Sequence, residues 1–196
     1  MMDMRNGFGP DYSLQYKTIN IFGEINNDMA LRVIDKLQYL DHQFKIASVP
    51  PEERIITLQI NSPGGVISDG LAIIDTMHFI DAKIMTIALG QAASMAAVIL
   101  GAGTKGMRAA TRNAEVLLHQ PLGGASGQAS DIILAAQHIE RMRGNINAML
   151  SSFTGRSVEE IARDTDRDNV LSAEQALEYG IIDYVIPSKY QIRAKE

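Results

Sequence analysis

Apolar and polar positions alternate along 18–22, which predicts a β-strand. Asn26 or Asn27 can then cap a helix whose apolar face is Ala30, Val33, Ile34, Leu37 and Phe44. Pro50-Pro51 makes 47–53 a loop. Residues 55–60 read as a strand, ended by Asn61-Ser62-Pro63-Gly64-Gly65, after which Ser68 is expected to cap a helix to about Phe79. The run 84–89 is a buried strand, Ser94 opens a helix to Leu100, and 115–119 is another strand. A glycine-rich stretch, Gly123-Gly124-Ala125-Ser126-Gly127, precedes a long helix expected to be capped by Ser130. Its apolar positions are Ile132, Ala136, Ile139, Met142, Ile146, Met149 and Phe153, and it ends at Gly155. Ser157 with Glu160, and Ser172 with Gln175, have capping-box spacing and start two short helices. A last strand at 181–186 stops at Pro187. Strands alternating with helices predict an α/β domain with a largely parallel sheet. No repeat or linker divides the chain, so 1–196 reads as one domain, with 1–16, rich in glycine and carrying Pro10, as a mobile arm.

Composition narrows the classes. The 196 residues are 46% hydrophobic and 21% charged, ordinary for a soluble globular domain, and can bury a sizeable core. A formal charge of -5 leaves no general basic patch, so nucleic acid is not an expected partner. The absence of cysteine excludes disulfides, thiolate metal sites and a cysteine nucleophile. The apolar runs 84–89 and 92–100 are separated by Gly90-Gln91 and are each too short for a bilayer, and the N-terminus has no signal-peptide core. A cytoplasmic protein with no membrane partner is the expectation.

Three residues carry the chemistry. Ser94 lies among small residues in Gly90-Gln91-Ala92-Ala93-Ser94-Met95-Ala96, at a strand-to-helix junction that suits a nucleophile. A serine hydroxyl needs a base, and His119, at a strand end before Gln120-Pro121, is placed to supply one. His42, His78 and His138 fall on or near predicted helices with no nucleophile beside them. The base needs an acidic acceptor, found in Asp164-Thr165-Asp166-Arg167-Asp168. Residues alone do not select Asp168 over its two aspartate neighbours. The alternating aspartates imitate the start of a calcium loop, but Asn169 stands at its sixth position and Gln175 at its twelfth, so no metal is expected. Oxyanion donors are the backbone N–H of Met95, at a helix start, and that of Gly65. Gly123, Gly124 and Ala125 offer a strand edge that could hold an extended peptide by its backbone. No lysine follows the glycines in phosphate-loop spacing, so no cofactor is expected in this chain.

Four blocks, in order, resemble the ClpP family of Clp protease proteolytic subunits. They are Ile60-Asn61-Ser62-Pro63-Gly64-Gly65, Gly90-Gln91-Ala92-Ala93-Ser94-Met95, His119-Gln120-Pro121-Leu122-Gly123-Gly124, and Arg163-Asp164-Thr165-Asp166-Arg167-Asp168. The similarity runs over about 19–186. It implies a Ser94–His119–Asp168 triad, choosing the last aspartate, and oxyanion donors at Gly65 and Met95. It implies a ClpP/crotonase-type fold of repeated β-β-α units with a protruding handle, here a strand and helix at about 123–155. It implies two heptameric rings stacked into a tetradecamer, with Asp166 and Arg167 in the inter-ring contact. An AAA+ unfoldase of the ClpX or ClpA/ClpC type would use ATP to feed polypeptides to the serines. Three segments depart from the family: 1–16 does not match its axial loop, 47–53 looks inserted, and Arg112 replaces a common proline. They suggest a divergent paralogue, and the alternative of a low-activity or structural subunit in a mixed ring with a second ClpP. A crotonase-type acyl-CoA enzyme would not need the serine and histidine, and a Ser–Lys peptidase finds no motif around Lys83 or Lys105.

Overall fold

The computed structural model describes residues 16–122 and 124–188. The expected arm therefore lies outside the described residues except for Tyr16, as does Gly123. Seven strands form one sheet: β1 (Thr18–Phe22), β2 (Ile55–Ser62), β3 (Lys83–Ala93), β4 (Arg108–Thr111), β5 (Glu115–Leu118), β6 (Asn169–Ser172) and β7 (Tyr184–Ile186). The order is β1-β2-β3-β4-β7, with β5 branching from β3 and β6 pairing β5. Every ladder is parallel except β5–β6. Six helices accompany it among the described residues: α1 (Asn27–Ile46), α2 (Ile67–Phe79), α3 (Met95–Gly101), α4 (Ala129–Thr154), α5 (Val158–Asp164) and α6 (Ala173–Tyr179). None is long and apolar enough to cross a membrane.

The longest strand, β3, organises the site. It pairs β2 along one flank as far as Ala92; on the other flank Thr86 to Ala88 pair β4, and Gln91 to Ala93 pair β5 in its place. The change happens at Gly90, whose φ of 83° is left-handed, and a side chain there would meet Asn61 Oδ1 at 2.9 Å. The β2 register slips between Ile60 and Ser62 at the same place. The predicted strand at 84–89 is therefore only the first half of β3, because the glycine bends the strand without ending it. Ile19, Ile21, Ile56, Leu58, Ile60 and Ala88 bury the sheet's alternating positions. Helix α1 covers them with Met29, Ala30, Val33, Leu37, Leu40 and Phe44, and its start is capped by Asn26, whose Oδ1 accepts the Met29 N–H at 3.0 Å.

Several local expectations shift. Ser68 and Ser130 are not caps: α2 starts from Val66 and α4 from Gln128, with no side-chain cap at either. Val66 and Gln128 are already extended after turns through Gly65 (φ 152°) and Gly127 (φ 129°), so each helix begins before the serine. Short β4 and β6 were not foreseen, and the last strand is only Tyr184–Ile186, following buried Ile181 and Ile182. Both capping boxes form as expected, at Ser157 and Ser172, and α4 ends at left-handed Gly155. Residues 124–128 form no strand, and no ladder among the described residues includes them. Only the C-terminal half of α4 packs, through buried Ile146, Asn147 and Leu150. Its first turns project with Ile132, Ile133 and Leu134 exposed. This α/β architecture, with a projecting helix, fits the fold expected from the resemblance.

One buried charge braces the far side of the sheet. Arg108 on β4 is 1% exposed and grips the Asp183 carboxylate through Nη2 to Oδ1 (2.6 Å) and Nε to Oδ2 (2.9 Å). Its Nη1 donates to the Phe153 carbonyl at the end of α4 (2.9 Å). Burial pushes the Asp183 carboxyl up, but the Arg108 bonds and the Gly106 N–H outweigh it and hold it below the usual carboxylate range.

Candidate active site

Ser94 sits between two elements that the core holds rigidly. Ala92 and Ala93 end β3 buried, and every residue of α3 is buried. The Ser94 N–H donates to the Leu117 carbonyl (2.8 Å), and its own carbonyl accepts from Ala97 (2.9 Å) and Val98 (3.3 Å). Between these anchors Ser94 takes φ 55° and ψ −125°. That conformation costs about 1–3 kcal/mol for a residue with a Cβ and persists only where the surroundings over-determine it. A strand, a strained serine and a helix in succession form the turn that lifts a hydroxyl off the end of a sheet.

The Ser62–Gly65 turn lies against this serine. A Cβ on Gly64 would stand 2.7 Å from Ser94 Cβ and 3.1 Å from the Met95 nitrogen, so only glycine fits. The Ser62 hydroxyl, fully buried, accepts the Gly64 N–H at 3.1 Å and shapes the turn. The parallel bridge from Ile25 uses the Gly64 carbonyl (2.8 Å) and the Val66 N–H (2.8 Å). A parallel bridge of that kind turns the Gly65 N–H and carbonyl to the opposite side. Met95, first residue of α3, carries an N–H without an intrahelical partner. The two expected oxyanion donors thus belong to backbone on either side of one contact.

His119 follows β5, as expected for a base at a sheet end. Its Nδ1 lies 2.8 Å from the Gln120 carbonyl. A carbonyl can only accept, so Nδ1 carries a proton, and in the neutral ring that leaves the Nε2 lone pair free, the tautomer a general base needs. His119 and Ser94 line one small cavity of about 20 Å³, roughly one water, walled by Met95, Leu118, Pro121 and, from α4, Ile146 and Leu150. A second, open depression of about 430 Å³ joins His119 to Asp166, Arg167 and Asp168. The structure therefore brings Ser94 to His119 and His119 to the aspartate loop, but Asp168 is exposed and makes no hydrogen bond to the imidazole.

The three aspartates are separated by what they touch. Asp164 accepts a hydrogen bond from the Tyr179 hydroxyl at 3.0 Å. Burial and then this contact push the Tyr179 phenol far up, so it stays a donor. Asp166 pairs with its exposed neighbour Arg167 at 3.8 Å. Asp168 is left uncommitted beside His119. Gly124 and Ala125 are exposed, next to this site in sequence. No group of three or more His, Asp or Glu side chains among the described residues could hold a metal ion. Sequence reasoning missed the α4 contribution to the cavity and the part played by Gln120. The expected apolar positions of this helix included Ile146 but not Leu150, and their periodicity did not show what that face meets.

The family model for Clp protease matches residues 11–189. The ATP-dependent Clp protease proteolytic subunit of Ligilactobacillus salivarius (strain UCC118) is 47% identical over 180 residues, covering 92% of this chain and 88% of that protein.

Proposed function

The chain belongs to the Clp protease family and is a Clp-type serine endopeptidase; we propose that it cuts unfolded polypeptides through an acyl-enzyme formed on Ser94. Ser94 Oγ attacks the scissile carbonyl carbon while His119 Nε2 takes its proton. The Gly65 and Met95 N–H groups hold the oxyanion. As the intermediate collapses, the imidazolium gives its proton to the leaving amine. Water, deprotonated by the same Nε2, then releases the acid. Asp168 accepts the Nδ1–H during these steps and stabilises the imidazolium. The observation that carries this reading is the strained Ser94, with the Gly64–Gly65 turn against it and His119 on the same cavity. The apolar walls of that cavity suit an uncharged side chain beside the cut bond.

The finer parts of the reading come from the family. The chain works in the cytoplasm as heptameric rings stacked into a tetradecamer, with Asp166 and Arg167 between the rings. Gly123, Gly124 and Ala125 pair with the substrate backbone, supplying the strand edge with the partner it lacks in the isolated chain. An AAA+ unfoldase spends the ATP, and this chain takes no cofactor.

A fluorophosphonate tests the nucleophile. It should add its mass to the tryptic peptide holding Ser94 in assembled protein, and Ser94→Ala should lower kcat for a fluorogenic peptide by about four to six powers of ten. Unchanged turnover in the assembled variant overturns the reading. A second reading, a structural or low-activity subunit of a mixed ring, is favoured by His119 resting on Gln120 instead of Asp168. Mass measurement and peptide turnover on one sample separate the two: robust turnover by a fourteen-subunit homo-oligomer rules the second out.

A further inference from the structure

We propose that Gln120 is a positioning residue for this reaction, fastening the loop that carries Asp168 to the loop that carries His119. The inference rests on the Ser94–His119–Asp168 reading. The β5–β6 ladder ends at the pair Leu118↔Asn169. Beyond it the two chains part, one into His119 and Gln120, the other back through Asp168, Arg167 and Asp166. Among the described residues, the hydrogen bonds that cross this gap are both made by Gln120. Its N–H donates to the Thr165 carbonyl at 2.7 Å, and its side-chain Nε2 donates to the Asp166 carbonyl at 3.0 Å. Its carbonyl, in turn, accepts the His119 Nδ1–H.

The two bonds differ in what they hold. Thr165 is buried and its hydroxyl also bonds the Ile161 carbonyl at 2.8 Å, so the backbone bond fastens to a fixed point. Asp166, Arg167 and Asp168 are all exposed, and the Asp168 side chain makes no bond of its own. The Gln120 amide is thus the tether that reaches the exposed end of the gap, two residues from the carboxylate. Without it, Asp166 to Asp168 can take many arrangements, and fewer of them place a carboxylate where Nδ1 can use it when charge develops on the ring. A side chain that only braced the fold would change stability and leave the chemistry of His119 alone.

The test uses the full chain in its assembled form. Gln120→Met keeps the length and loses the donor, and Gln120→Glu keeps the shape but cannot donate to a carbonyl at neutral pH. Both should lower kcat for peptide hydrolysis by tenfold or more with KM within twofold, because substrate contacts remain. The charged groups facing His119 across the depression are Asp166, Arg167 and Asp168. A nearby carboxylate favours the imidazolium, so an Asp168 held less often near His119 in Gln120→Met moves the acid limb of the kcat/KM profile to lower pH. If Gln120→Met does not assemble, Gln120→Glu carries the kcat test. Wild-type kcat in the assembled variants overturns the proposal, and so does a fall in kcat with the acid limb unmoved, which marks a brace and not a positioning residue. A wild-type chain whose turnover survives Ser94→Ala overturns the triad reading, and this proposal with it. Turnover that Ser94→Ala abolishes but the Gln120 variants do not alter overturns this proposal alone.

Discussion

Around Ser94 the supporting residues belong to the core: Ala92, Ala93, Met95 and the rest of α3 are buried, and the Gly64 turn leaves no room for a single added carbon. Around Asp168 the neighbours Asp166 and Arg167 are exposed, and the carboxylate makes no hydrogen bond or ion pair among the described residues. A residue at φ 55° and ψ −125° needs that density, because a looser setting would let the strain relax. The acid needs the opposite. It has to serve an imidazole that rests on the Gln120 carbonyl, so its carboxylate is kept clear of other partners among the described residues while Gln120 holds its loop near. On the proposed reading, folding of one chain places Ser94 beside the Gly65 and Met95 N–H groups, whereas the position of Asp168 depends on the contacts of its loop.

The largest expected effect breaks or confirms the acid's share of that division. Asp168→Asn keeps the size and removes the charge. On the triad reading kcat falls by about three to four powers of ten while KM changes little, measured on a peptide with the assembled protein. Because Asp168 makes no bond among the described residues, the unfolding midpoint should stay within a degree or two of the parent. Turnover unchanged in Asp168→Asn would leave the tautomer to the Gln120 carbonyl alone and remove the acid from the mechanism.

The same division explains what could be read from residues. The platform was legible because burial writes a pattern: the run 84–89 and the apolar face of α1 follow from it, while the α1 cap was left between Asn26 and Asn27 and the structure takes Asn26. The capping boxes at Ser157 and Ser172 were legible because they are local chemistry. The four-residue strands β4 and β6 were not. β4 places a buried charge, Arg108, at its start, and β6 leaves Val170 half exposed, so neither shows clean alternation. The second half of β3 hid behind Gly90. The residues alone left the three aspartates open and the family resemblance chose Asp168; the partners of the other two, Tyr179 for Asp164 and Arg167 for Asp166, are contacts that spacing along the chain does not announce.

Cutting a brace in the platform should cost stability first. Asp183→Asn leaves the Arg108 guanidinium, 1% exposed, without its counter-charge, a change that costs about 3–5 kcal/mol when a buried pair loses one member. Denaturant unfolding at fixed protomer concentration measures it. The pH dependence gives a second check. The folded Asp183 carboxyl lies below its ordinary value, so its contribution is complete above the unfolded value of about 4 and is lost as pH falls through the folded one. The gap between parent and variant should therefore be widest near neutrality and close in acid. A constant gap would mean that packing, not charge, is what Asp183 supplies.

The smallest effect belongs to the other half. Ser157 caps α5, the helix leading into the aspartate loop: its hydroxyl accepts the Glu160 N–H at 3.2 Å, and the Glu160 carboxylate accepts the Ser157 N–H at 2.9 Å. Those bonds from Ser157 hold the Glu160 carboxyl below its usual range. Ser157→Ala removes a cap worth about 1 kcal/mol, which in a chain of this size lowers the thermal midpoint by about 2–4 °C. Turnover should change less than twofold, because the far end of α5 keeps independent anchors. Tyr179 still bonds Asp164, and the Thr165 hydroxyl still bonds the Ile161 carbonyl. A large loss of kcat from so small a change in stability would show that the aspartate loop is governed by the start of α5, and that Gln120 is not what sets its position.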